Sequence, residues 1–546
     1  MLLTQTSKTQ EATSHTALNG QTLTVSCSEA PAEIPDYDYY NEDTPWYDYY
    51  ETVTTLIIDE GITRIGDDAF RGFSALTSIS LPSTLLSIGS GAFSRCDSLT
   101  TINIPANVED VSGYAFDYDY SLTAYNVDAS NPYFSSENGI LFNKDKTTLR
   151  LYPIAKAGAS YTVPNTVTTI SSNAFCSSEL SSISLPNSLE TIGYYAFSEC
   201  ENLKSITLPN ALDYIDNDAF SYSALESITI PNSVTYMGYY VFEYCDRLKT
   251  AKLGNGLEYV SEYTFSNCSA LTSVTFGKKI EAIDSYAFLK CTGLKSITIP
   301  ETVKTIDYCA FYKCENLKSV TLGKNLTEVR DYAFENTALK SVYLPQKVTT
   351  IGEGALGYYY DGNKDTDSPI AGFKLYCVKG TKAATAAQKY KSTDGVAYSF
   401  VSIGSASLNA GKTKTLKATA GTVTGWKSSK TAVATVKKGK VTALKKGKAT
   451  ITATLYDGAK VTGTATVKTN PKLSKSSVSV KKGKSVTVKI TGKASTVKNV
   501  YTNTKIAKIT SKNTATKIKV KGLKKGSTTL KVKVNGVTLK LKVNVK

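Results

Sequence analysis

The sequence predicts a mainly β protein: a solenoid of about twelve rungs followed by two β-sandwiches. Three observations carry this. A hexapeptide ending in Phe returns every 22 or 23 residues almost throughout, from IGDDAF at Phe70 to VRDYAF at Phe334, and IGEGAL closes the series at Leu356. Between these hexapeptides runs a second phrase, L-x-x-[IV]-x-[LI]-P, as in Leu180–Pro186 and Leu294–Pro300. From about residue 405 both stop, and short alternating strands with glycine turns replace them.

Within one rung, the alternation at the end of the second phrase reads as a short strand. Proline stops it, because it cannot donate a ladder hydrogen bond; Gly254, Gly277 and Gly323 stand in its place in three rungs. Aliphatic residues follow at three-residue steps, such as Leu189 and Ile192, and then Ala and Phe. No single rung can bury this set of apolar side chains, so the rungs must stack into one continuous core. Three rungs are a residue short, after Phe175, Phe220 and Phe334, which marks the segment between Phe and the next Leu as a turn that tolerates deletion.

The tail is a different kind of chain. Residues 401–546 hold 34 Lys, one Asp (Asp457) and no Arg or Glu, for a net charge of +33. The first 400 residues carry 29 basic and 46 acidic side chains, a net −17, so the overall +16 hides a dipolar molecule. In Leu530–Val543 Lys alternates with aliphatic residues, which places Lys531, Lys533, Lys540 and Lys542 on one face of a hairpin turned at Asn535-Gly536.

Composition excludes several functions. The one histidine, His15, stands in a polar N-terminal segment, which leaves no imidazole within the scaffold for a Ser-His-Asp, Cys-His or His-based zinc site. Gly254-Asn255-Gly256 and Lys446-Gly447 lack the strand–loop–helix setting of a phosphate loop. Asp36–Asp43 and Asp361–Asp367 lack the Gly and Glu of an EF-hand loop and read as solvated loops. Asp284 and Asp307 are a chance carboxylate pair on neighbouring rungs of an open face, and the chain is read as no enzyme with no cofactor. Cys96, Cys200, Cys245, Cys268, Cys291 and Cys314 all follow their Phe by three residues. They read as a column of small buried thiols, with inter-rung bridges such as Cys268–Cys291 as the alternative. No segment approaches the apolar length of a membrane span, and MLLTQTSKTQ shows no signal peptide.

The repeat resembles the BspA-type leucine-rich repeats of bacterial surface proteins over roughly residues 52–402. The resemblance implies a flexible tail at 1–30 and an N-terminal cap at 31–64 with Trp46 in its P-W position. It implies a solenoid at 65–404, with a hairpin inserted at 131–153 and a closing strand–helix–strand cap at 373–404. The phrases from Trp426 to Ala443 resemble bacterial immunoglobulin-like domains of the intimin/invasin kind, giving one domain at 405–469 and a more divergent one at 470–546. Together they imply an exported, extracellular or cell-surface binding protein. Its partner would be a host or neighbouring-cell surface protein or glycan. The alternatives are a purely structural wall protein and a glycan-targeting accessory module.

Two surfaces are expected to carry that function. The outward strand positions, such as Ser182 and Ser184 or Ser296 and Thr298, form a chemically quiet Ser/Thr ladder. Tyrosines instead collect just before the Phe. Tyr195, Tyr240, Tyr263, Tyr286 and Tyr332 stand two residues before it, and Tyr194, Tyr239 and Tyr308 three before it. They are expected to line up as a recognition column, or else to pack rung on rung as part of the repeat itself. The lysines of the tail are expected to hold an anionic cell-wall polymer by diffuse charge, with no specific nucleic-acid recognition.

Overall fold

A computed structural model describes residues 2–3, 14–38, 44–361, 366–493 and 499–546. The chain divides into two compact units. The first comprises Met1–Lys340, Thr350–Phe373 and Thr393–Gly395; the second comprises Ser341–Thr349, Lys374–Ser392 and Val396–Lys546.

The first unit is a β-solenoid, and the protein has about 15 turns rather than the twelve expected. Most turns carry a strand in each of two parallel ladders. One is the expected strand, paired in register from rung to rung, as Ser296–Thr298 against Ser319–Thr321. The other is a two-residue strand just before the Phe loop, as in the run Ile170, Ile192, Ile215, Met237. Two residues are too few to show alternation, so this second ladder leaves no pattern of residue type.

Behind the second ladder the Phe side chains stack. Neighbouring rings from Phe175 to Phe334 lie 4.9–5.6 Å apart and within 19° of parallel, and all are fully buried. Trp46 begins the column on Phe70, at 4.8 Å, and its indole N–H donates to the Ala69 carbonyl at 2.7 Å. The long gap between Phe116 and Phe175 conceals a rung. Tyr152, 5% exposed, stacks on Phe175 at 5.2 Å, and its N–H donates to the Ala174 carbonyl as a rung Phe would. It leaves the third strand of the inserted segment, Thr148–Leu151, which pairs antiparallel with Ile140–Asn143 on one side and parallel with the next rung on the other.

The N-terminus departs from the expected flexible tail. Ser14–Asn19 and Thr22–Cys27 form an antiparallel hairpin, and Thr22–Cys27 pairs in parallel with Thr55–Ile58. Leu23 and Val25 are thereby buried, so this segment is the first turn of the solenoid. Its polar composition concealed this, since only one side of a strand needs to be apolar. Residues 4–13 lie outside the described residues.

The cysteine column has a specific partner. Each thiol at the third position after Phe donates to the carbonyl of the Phe one rung earlier. Cys200 reaches Phe175, Cys245 reaches Phe220, Cys268 reaches Phe242, Cys291 reaches Phe265 and Cys314 reaches Phe288, at 3.0–3.2 Å. All ten cysteines are free. Burial pushes the Cys200 and Cys245 thiols up to about 12. The three shortened rungs and the rung of Phe116 have Ser178, Ser223, Thr337 and Asp119 instead, all buried polar side chains.

In the second unit, the strand Ser341–Tyr343 pairs in parallel with Lys374–Cys377, which pairs with Tyr398–Phe400. The helix Lys382–Asp394 is the chain's one α-helix among the described residues and buries Ala383, Ala387 and Tyr390. Two β-sandwiches follow. The first packs a four-stranded sheet on a three-stranded one around Ile451, Leu455, Val441 and Ala443. The second packs two four-stranded sheets around Val488, Ile518, Leu530 and Leu541. Asp457, the tail's one acid, is buried. Its carboxylate accepts hydrogen bonds from the Tyr343 hydroxyl and the Gln346 N–H, each at 2.8 Å. Asn535 and Gly536 both have positive φ, 50° and 79°, as the expected two-residue hairpin turn requires. The Asn535 amide donates to the Leu444 carbonyl at 2.9 Å and so holds this turn against the first sandwich.

Native protein treated with an alkylating reagent at about pH 8 should leave Cys245, Cys268, Cys291 and Cys314 unlabelled, and the unfolded chain should label at all four. Peptide mapping reads the difference; rapid labelling of these thiols in the native state would contradict the buried column.

Candidate functional site

The tyrosine surface is built on an unusual piece of backbone. The residue two before each Phe has positive φ in nearly every rung: Asp68, Gly91, Asn173, Tyr195, Asp218, Tyr240, Tyr263, Tyr286, Cys309 and Tyr332 all lie between 52° and 62°. The residue two after Phe repeats this, as in Arg95, Glu199, Tyr244, Asn267 and Lys290. The two left-handed residues turn alternate amides along the stack. In one rung Tyr263 N–H donates to Ser285, Phe265 N–H to Ala287 and Asn267 N–H to Leu289, at 2.7–3.1 Å, all carbonyls of the next rung. A tight turn closes the loop, with Ser266 N–H donating to the Tyr263 carbonyl at 2.9 Å.

Gly, Asn and Asp tolerate this conformation best, and four rungs use them before the Phe. Five others use Tyr, which gains nothing from such a backbone, so the ring itself must account for its presence. Tyr240, Tyr263 and Tyr286 form a parallel stack with centroids 4.6 Å apart. The column then changes step, since Cys309 takes the place in the next rung and Tyr308 meets Tyr286 and Tyr332 edge-on. Tyr195 is separated from this run by the rung of Asp218; it packs on Tyr194, and Tyr194 on Tyr114. The rings at the second position are half-buried, and Tyr239 and Tyr308 are exposed. The eight expected tyrosines therefore form one continuous run, Tyr240 to Tyr332, with Tyr239 at its margin and Tyr194 and Tyr195 as a separate pair.

Two further aromatic columns went unread in the sequence. Tyr222 and Tyr244, two residues after their Phe, stack at 4.7 Å with both rings exposed. Tyr214 and Tyr236 on the two-residue strands stack at 4.6 Å. A comparison of Tyr positions after the Phe, as well as before it, would have found the first pair. The strand face is also less uniform than a Ser/Thr ladder. An open groove at its N-terminal end is lined by Glu60, Ser80, Asn103, Asn126 and Asp128, and the Asn126 amide donates to Asn103 at 3.0 Å.

Carboxylates run beside the tyrosines. Asp216, Glu262, Asp284, Asp307, Asp331 and Glu353 occupy the third or fourth position before the closing Phe or Leu of six rungs. Burial, and then the charge of Asp307, holds the Asp284 carboxyl up at about 6. Burial raises Asp218 to about 7, with Glu243 adding to it. Tyr240 and Tyr263 are raised by partial burial and by neighbouring carboxylates; Tyr332 reaches about 12 for the same reasons, with Glu353 beside it. Arg330 donates to Asp307 at 2.8 Å, so one member of the supposed carboxylate pair Asp284 and Asp307 is engaged in an ion pair. The acidic stretches read as solvated loops are only partly described: residues 39–43 and 362–365 lie outside the described residues. Asp36 itself accepts the Asp67 N–H at 2.8 Å and pairs with Arg64. Among the described residues no group of three or more His, Cys, Asp or Glu could hold a metal ion.

The lysines of the tail stand as the alternation required. Lys531, Lys533, Lys540 and Lys542 are exposed, while Leu530, Val532, Leu541 and Val543 between them are buried. Lys531 lies directly opposite Lys540. On the other sheet Lys489 faces Lys517 and Lys508 faces Lys521. Like charges in register destabilise a sheet, and residues 458–546 contain no acid to relieve them.

This architecture, a Phe-stacked solenoid with a strand on each rung, defines a leucine-rich-repeat protein. The chain belongs to the BspA type leucine rich repeat family, whose model matches in 6 copies over residues 46–143, 168–295 and 240–361. Among solved structures it is similar to a leucine-rich repeat protein from Eubacterium ventriosum, at 25% identity over 64% of this chain and 92% of that one, with a TM-score of 0.41. It is also similar to one from Bacteroides ovatus, at 21% identity over 72% and 98% of the chains and a TM-score of 0.39. A leucine rich cell surface protein from Faecalibacterium prausnitzii matches at 20% identity over 59% and 94%, with a TM-score of 0.29. No curated protein matches the chain.

At Tyr263 the ordinary ranking of substitutions should invert. Because φ is 54° there, Tyr263→Gly should be more stable than Tyr263→Ala by about 1 kcal/mol in denaturant unfolding. An alanine variant as stable as the glycine variant would mean that this backbone is not held left-handed.

Proposed function

We propose that the protein is a non-enzymatic, surface-associated or secreted bacterial binding protein, with the solenoid as recognition module and the lysine-rich tail as wall-proximal stalk. The observation that carries this is the run of tyrosines at left-handed positions. A backbone that prefers Gly or Asn is given a large, half-exposed ring in successive rungs, and Tyr supplies contact area at low entropic cost. We read the two sandwiches as immunoglobulin-like spacers. Their unrelieved Lys–Lys pairs favour an anionic partner, and wall polymer is the anion an exported chain would meet first. The partner of the tyrosine run is a surface protein or glycan of a host or neighbouring cell.

The purely structural reading draws on the same stacks, since rings 4.6 Å apart also stabilise the repeat. The glycan-targeting reading draws on the Asn and carboxylate groove. One experiment separates them. The full chain is tested against matrix proteins, purified walls and a glycan array, beside a variant carrying Tyr240→Ser, Tyr263→Ser and Tyr286→Ser. Loss of one partner, with wall binding retained and weakened by salt between about 50 and 500 mM, is the expected result. Salt-insensitive wall binding would refute the anchor. A variant that keeps its partner but loses its thermal midpoint would return the tyrosines to a structural role.

A further inference from the structure

The acidic row beside the tyrosines has no assigned partner. Asp216, Glu262, Asp284, Asp307, Asp331 and Glu353 repeat along the solenoid at one rung spacing, with Tyr239 filling the one rung that lacks an acid. Glu262, Asp331 and Glu353 are exposed. The cation among them is Arg330, which pairs with Asp307; Lys290 and Lys313 stand two residues beyond the Phe. The row is thus a line of negative charge whose step is set by stacked strands, shown by the 4.6 Å between the adjoining tyrosine rings.

The same chain carries the converse surface. On the second sandwich, Lys531 and Lys540 lie side by side on adjacent strands, with Lys533 and Lys542 two residues along. Antiparallel pairing sets Lys533 and Lys542 on opposite sides of that pair, across from Thr538 and Thr529, so the four side chains make a compact positive face. Within the row the ion pair is that of Arg330 with Asp307, residues 458–546 contain no acid beside the lysine face, and the two charge totals, −17 and +33, are opposite in sign.

We propose that the acidic row of the solenoid is a docking surface for the lysine face of a second copy of this chain. The two surfaces are different, so the contact is heterologous. One copy's tail on the next copy's solenoid closes into a ring or grows as an open chain according to the rotation between copies. Polymer anions compete for the lysine face but not for the acidic row. This sets self-association apart from the wall binding proposed above, which needs only the lysines.

Sedimentation velocity of the full chain tests this. At about 50 mM salt the expected result is association that grows with protein concentration, reversed at about 500 mM. The variant Glu262→Gln, Asp331→Asn, Glu353→Gln should weaken association about tenfold or more, with its circular dichroism and wall binding unchanged. The variant with Lys531, Lys533, Lys540 and Lys542 all changed to Gln should lose both. A pair of charge reversals, Glu262→Lys with Asp331→Lys in one copy and Lys531→Glu with Lys540→Glu in another, should associate only when mixed. A chain that stays monomeric at low salt would overturn the proposal. So would compaction independent of concentration, or association unaffected by the acidic-row variant. Loss of wall binding alone would overturn only the wall reading.

Discussion

One buried aromatic ring per rung, stacked on the ring of the next, is the contact on which the solenoid depends. Rungs this short have no core of their own. Each gains one only because its Phe lies within about van der Waals range of two others, and offset-stacked rings add ~0.5–1.5 kcal/mol beyond the area they bury. The spacing must then match what the backbone allows. It does so because the Phe amide and its second neighbours on either side all donate to the next rung. The left-handed residues follow from this requirement, since they turn alternate amides along the stack while the chain bends around the ring. Substitutes at the ring position keep the arrangement. Trp46 opens the column and Tyr152 takes it up again after the inserted segment, both flat and both able to stack.

The same geometry explains the cysteines and the tyrosines. The Phe carbonyl points to the next rung, where a Cys three residues after the ring meets it through a weak S–H donor that is small enough to be buried. In one shortened rung a serine stands in the cysteine's place, and the Ser223 hydroxyl lies 3.3 Å from the Cys245 sulfur of the next rung. The tyrosines stand where the backbone is left-handed, so their side chains leave the loop on its outer side and meet one another at rung spacing. A column built for stacking inside is echoed by a looser one outside, and the outer one has hydroxyls and carboxylates at its edge.

Much of this was legible. The period, the strand with its Pro or Gly stop, the Phe column and the alternation in the lysine hairpin are all patterns of residue type, and residue type is what burial selects. The positions missed have another origin. Tyr152 could not be identified as a rung residue because the inserted strands change the count on either side of it. Residues 14–27 escaped notice because a hairpin with one buried side shows few apolar residues. The left-handed positions were hidden by their own variety, since Asp, Asn, Gly, Tyr and Cys share no property except this backbone. Asp457 was visible as the tail's one acid, but its bonds to Tyr343 and Gln346 join segments more than a hundred residues apart, beyond the reach of local pattern.

The glycine stops carry a similar lesson. A Cβ at Gly254, Gly277 or Gly323 would lie 2.0 Å from a carbonyl oxygen of the preceding rung, so these rungs approach each other more closely than a side chain allows. That distance is set by the stack, not by the turn. Hydrogen exchange on the native protein tests the central claim most directly. If the ring column and its amide ladder hold the rungs together, the amides of Tyr263, Phe265 and Asn267, and their equivalents in neighbouring rungs, should exchange only through large-scale unfolding, as slowly as the strand amides. Fast exchange of these amides, at rates typical of exposed loops, would contradict it.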